Sequence, residues 1–134
     1  MELSTSRYRL MPAPKNPDSL DLHMNISGLL DKENGYIDIK LSDIVPIEKR
    51  TGTFKITRAS STNDFISWHD VHMFVLKNQK LSSWSGFKDF TVEQGVTYKY
   101  AIQEINKYGF TTTKIESDPI LVDFEHMFLY DGEK

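Results

Sequence analysis

The chain has 134 residues, 39% hydrophobic and 26% charged, with a formal net charge of −3, which fits one domain of ordinary size plus some additional chain. The absence of cysteine excludes disulfides, thiolate zinc sites and cysteine nucleophiles. No Lys/Arg run exceeds Lys49-Arg50, so nonspecific nucleic-acid binding is not expected, and no apolar stretch suits a cleaved signal or a membrane span, so neither export nor a membrane partner is expected.

Residues 1–34 read as an N-terminal arm or linker with room for one strand. Pro12, Pro14 and Pro17 favour extended chain and cannot pair in a central strand. Leu20, Leu22, Met24 and Ile26 then alternate with Asp21, His23, Asn25 and Ser27, up to Gly28. That strand either opens the domain or pairs with a neighbouring chain. Asp31-Lys32-Glu33-Asn34-Gly35 is a turn signal.

Residues 35–122 carry the strand pattern of a two-layer domain. Ile37, Ile39 and Leu41 alternate with Asp38, Lys40 and Ser42, and residues 44–52, with Pro46 and Gly52, read as a loop. Residues 53–59 place Phe54, Ile56 and Arg58 on one face and Lys55 and Thr57 on the other. The stretch between Ala59 and Phe87 is long for a simple crossing and predicts an extra hairpin or short helix. Further strands are expected over 87–92, 97–106 and 111–117.

The most informative stretch is 90–109, FTVEQGVTYKYAIQEINKYG. Tyr98, Tyr100 and Ile102 share one face and Lys99, Ala101 and Gln103 the other, the period of a half-buried strand. The spacing of Val92, Gly95, Tyr98, Tyr100, Ile102, Asn106 and Gly109 resembles the E–F corner, F strand and F–G turn of fibronectin type III domains. The resemblance implies an all-β fibronectin type III/immunoglobulin-like β-sandwich with N- and C-terminal extended arms. Tyr98 would be the corner tyrosine whose hydroxyl bonds to upstream backbone. Gly95, Asn106 and Gly109 would complete the fold-defining set, Asn106 and Gly109 as turn residues that tolerate positive φ. Gln94 stands where that family has proline, and Glu104 where it has a small residue.

Residues 123–134 keep adding apolar side chains and end in Tyr130-Asp131-Gly132-Glu133-Lys134, a turn about to return. They read as a connecting segment into another domain or subunit. Together with GVTYKYAIQEIN, the run SDPILVDFEHMFLYDGEK resembles virion structural proteins of tailed bacteriophages. This resemblance implies a tail, baseplate or fibre component, assembled in the host cytoplasm, with other virion proteins and copies of itself as partners.

Chemical constellations are sparse. His69, Asp70 and His72 supply too few convergent ligands for zinc, with His23 and His126 far off in sequence. Asp118, Asp123, Glu125 and Asp131 lack the dense spacing of a calcium loop. No nucleophile elbow, phosphate loop or zinc-protease motif occurs, so no catalytic, cofactor or metal residue is expected. Trp68, Trp84, Phe87 and Tyr108 fall near loops, where rings can stack on sugars or close the ends of the core.

The expected function is therefore a non-catalytic structural module that holds subunits or spaces domains. Its contacts would run through Leu20, Leu22, Met24 and Ile26 at one end and Ile120, Val122, Phe124, Met127, Phe128 and Leu129 at the other. The alternative is a receptor- or carbohydrate-binding module meeting a host-surface glycan through Trp68 and Trp84. A third reading is a substrate-positioning module of a cell-wall hydrolase.

Overall fold

A computed structural model of the chain describes residues 22–124. Eight strands run in order: β1 (Met24–Asp31), β2 (Tyr36–Asp43), β3 (Arg50–Ser60), β4 (His69–Gln79), β5 (Phe87–Asp89), β6 (Thr97–Ile105), β7 (Ile115–Glu116) and β8 (Ile120–Leu121). One antiparallel sheet has the order β1-β2-β5; the other has β4-β3-β6-β7, with β8 also pairing with β6. The two sheets form an all-β sandwich of the immunoglobulin/fibronectin type III kind.

Alternation explains the layers. Met24 and Ile26 of β1, Ile37 and Ile39 of β2, Phe54 and Ile56 of β3, and Tyr98, Tyr100 and Ile102 of β6 all point into one buried cluster. The stretch between Ala59 and Phe87 holds short 3-10 turns at Ser61–Asn63 and Leu81–Ser83 and the eleven-residue strand β4. Strand β4 makes the expected hairpin with β3 and lies at the sheet's edge.

The first strand belongs to the chain's own sandwich. β1 pairs with β2 from Met24↔Asp43 to Asp31↔Tyr36, so the sandwich includes β1. The turn between them is closed by Gly35 N–H donating to Asp31 O (2.9 Å), with the Asp31 carboxylate accepting from Asn34 N and Nδ2. Gly35 has φ +81°, a conformation that suits glycine.

The two ends of the described chain leave from opposite ends of the sandwich. At one end, Arg50 Nη2 donates to Leu22 O (2.7 Å) and His23 O (3.2 Å), and its Nε and Nη2 both bond Asp43 Oδ1 (3.0 and 2.6 Å). At the other, Gly95 N–H donates to Val122 O (2.8 Å), and Phe124 N–H donates to Gln94 Oε1 (2.8 Å). β3 and β6 run the full length between them, from Thr53↔Ile105 to Ser60↔Tyr98. Gln94, the departure from the proline of the fibronectin pattern, is therefore the residue that ties the outgoing chain to the corner.

Candidate functional site

The corner forms as its spacing implies: Glu93 N–H donates to Tyr98 Oη at 3.0 Å. The following turn works differently from expectation at one position. Gly109 adopts φ +89°, but Asn106 does not need positive φ. Its side chain acts instead, Oδ1 accepting from Tyr108 N (2.9 Å) and Phe110 N (3.1 Å).

The interface candidates divide by burial. Leu22, Met24, Ile26, Val122 and Phe124 lie in the chain's own core, and Ile120 packs against it. Strand alternation places these side chains between the two sheets, so they are not a surface for a neighbour. This corrects their assignment to subunit contacts. Leu20, Met127, Phe128 and Leu129 lie outside the described residues.

The two tryptophans also part company. Trp84 stacks on Phe74 (ring centroids 4.6 Å apart), and His72 stacks on Phe87 (4.5 Å) within the same group. Phe74 in turn stacks on the buried Phe54 (5.4 Å). Trp84 thus packs against the core beside β4 and remains partly exposed. Burial among these rings pushes the His72 pKa down. His69 is exposed on the same strand, and among the described residues no group of three or more His, Cys, Asp or Glu side chains converges as a metal site.

Trp68 occupies a different place. It lines a recess of about 650 Å³ beside the β6–β7 turn, together with Gln103, Phe110, Lys114 and Glu116. The Lys114 ammonium stands 5.6 Å from the centre of the Trp68 ring. The recess exists because the chain bulges between the Ile105↔Thr111 bridge and the Ile102↔Ile115 pair. Two buried polar side chains hold the bulge. Gln103 Nε2 donates to Thr112 O (2.6 Å), and Thr112 Oγ1 accepts from Glu104 N–H (3.0 Å). Ala101 and Gln103 face away from Tyr100 and Ile102 yet are also buried, so this part of the outer face is covered.

A charged network between the sheets was not read from the sequence. Asp89, 2% exposed, accepts four hydrogen bonds. Its Oδ2 takes Tyr100 Oη (2.6 Å) and Arg58 Nη1 (2.7 Å), and its Oδ1 takes Thr91 Oγ1 (2.6 Å) and Thr91 N (3.0 Å). The Arg58 guanidinium also lies 4.8 Å above the Tyr98 ring. Burial alone would raise the Asp89 pKa; the bonds from Thr91, Tyr100 and Arg58 outweigh it and hold the carboxyl below its usual range. The Tyr100 hydroxyl is pushed well upward, first by burial and then by its bond to Asp89. One signal was present: Arg58 continues the inward series Phe54, Ile56, and an inward arginine requires a buried acceptor. The network joins β5 of one sheet to β3 and β6 of the other, with Asp89 buried and Thr91 at its exposed rim, so it acts as a clamp.

Exposed apolar side chains gather on and before β4. Ile66, Met73 and Val75 are more than half exposed, and among the described residues β4 pairs only with β3.

No family model matches the chain, and neither does any curated protein. Among solved structures it is similar to a pectate lyase of Pectobacterium carotovorum, at 10% identity and TM-score 0.44, over 72% of this chain and 25% of that one. A pectate lyase of Erwinia chrysanthemi in complex with tetragalacturonic acid gives 12% identity and TM-score 0.44, over 72% and 27%. A myokine structure gives 14% identity and TM-score 0.45, over 75% of this chain and 92% of that one. The chain spans about a quarter of the length of either lyase, and at these scores nothing about its chemistry follows from the likeness.

Proposed function

We propose that the chain is a non-catalytic structural module of a tailed-bacteriophage virion, in its tail, baseplate or fibre, that joins copies of itself and spaces what lies on either side. The observation that carries this reading is the polarity of the sandwich. The chain comes in at Leu22, clipped by Arg50 and Asp43, and leaves at Phe124, clipped by Gln94, at the far end. A domain threaded end to end transmits position and load along its strands, whereas a hairpin-like path would bring both flanking segments to one side. The virion assignment rests on the likeness of residues 86–134 to phage structural proteins.

In this reading the contacts between copies belong to the flanking segments and not to the side chains of β1 or β8, which are committed to the core. The mass of the full chain in solution, measured beside that of residues 22–124, tests it.

A further inference from the structure

We propose that the recess beside Trp68 is a saccharide-binding site. The inference does not depend on the connector reading, since it concerns one outer face of the sandwich and not its ends.

Three observations carry it. The recess is built: the chain stays on β6 through Thr112, whose N–H donates to Glu104 O, then bulges before pairing again at Ile115, and buried Gln103 and Thr112 hold the departure in place. Bulges of this kind re-aim side chains and occur next to functional sites. The lining then combines one indole platform with polar groups. Trp68 is only half-buried, and around it stand the hydroxyl-bearing Thr111 and Thr113, the Lys114 ammonium and the Glu116 carboxylate. Finally, Trp68 stands apart from the hydrophobic core against which Trp84 packs, so closing that core does not account for its position.

This combination selects the ligand class. A sugar ring presents an apolar face of C–H groups that stacks on an indole, and a rim of hydroxyls that needs both donors and acceptors. Lys114 donates and Glu116 accepts, and the threonine hydroxyls do either. A protein segment would ask for several apolar anchors, whereas only Trp68 and the rim ring Phe110 are aromatic here. Lys114 stands over the indole ring, and a bound sugar displaces its ammonium from the ring toward the ligand hydroxyls.

The test is binding of the full chain to an array of defined oligosaccharides, followed by calorimetric titration of the strongest. Binding is expected, with Trp68→Ala and Glu116→Ala each weakening it about tenfold or more. Phe90→Ala, which removes an exposed ring at the end of β5, is expected to leave it unchanged. Circular dichroism checks that Trp68→Ala is folded; if it is not, the exposed Glu116→Ala decides. An array without a binder, or affinity unchanged in the deciding variant, overturns the proposal.

Discussion

Tyr100 Oη donates to Asp89 Oδ2 at 2.6 Å, across the space between the two sheets. Asp89 is the buried centre of this clamp; Arg58 Nη1 also donates to Thr91 Oγ1 (2.7 Å), which itself bonds Asp89. Replacing Asp89 with alanine leaves a half-buried guanidinium and a buried hydroxyl without that carboxylate. Asp89→Ala is expected to cost about 3–5 kcal/mol, and Tyr100→Phe about 1–3 kcal/mol, both read from urea unfolding. The pH dependence has a definite sign. The folded Asp89 pKa lies below the ordinary aspartate value of 3.8, so its contribution is present above that value and is lost as pH falls through the folded pKa. Tyr100 is raised above 10.0, so its contribution is present below that value and is lost as pH rises beyond it. Unfolding midpoints between pH 2 and 4 and above 10 check both limbs.

Tyr98 offers a milder test. Its hydroxyl accepts one backbone N–H, from Glu93, and the residue is otherwise buried in the core. Tyr98→Phe is expected to lower stability by about 1 kcal/mol without changing the fold, as measured by thermal and urea unfolding.

His72 makes the aromatic group beside β4 sensitive to acid. Its folded pKa is lowered from 6.5 by burial among Phe74, Trp84 and Phe87. The stability it contributes is therefore present above 6.5 and is lost as pH falls through the folded pKa. Asp70 is the nearest carboxylate in sequence, but it faces Lys55 at 3.4 Å. Tryptophan fluorescence should report loosening around Trp84 in the wild type below pH 6.5, and His72→Phe should flatten that limb.

Gly28 of β1 faces Ile120 of the other sheet. A Cβ there would stand 2.6 Å from Ile120 Cδ1 and 3.0 Å from Ile37 Cγ2. Gly28→Ala is expected to destabilise by about 1–3 kcal/mol through overpacking. A neutral result in urea unfolding would show that the flexible end of Ile120 yields to the added methyl.

Much of this architecture was legible in the sequence because period-two alternation and turn residues act locally. Ile37 and Ile39, Phe54 and Ile56, and Tyr98, Tyr100 and Ile102 all fall on the faces their spacing dictates. The fate of β1 was not legible: Leu22, Met24 and Ile26 show the same alternation whether the partner is β2 or another chain. Their partner is β2, because the Asp31–Gly35 turn folds the strand straight back. The Asp89 clamp was hidden for another reason. Arg58, Asp89 and Tyr100 are separated by up to 42 positions in sequence, and only the sheet-to-sheet packing brings them together. Trp68 and Trp84 looked alike as loop aromatics, and it took the placement of β4 to set one against the core and the other at an open recess.

The measurement that bears most directly on the connector reading is mass in solution by light scattering, over a range of concentrations. The comparison is between the full chain and residues 22–124; cutting at residue 31 would remove β1 and with it Met24 and Ile26 of the core. The account predicts a folded monomer for residues 22–124 and a multimer for the full chain. A full chain that stays monomeric at every concentration would contradict it.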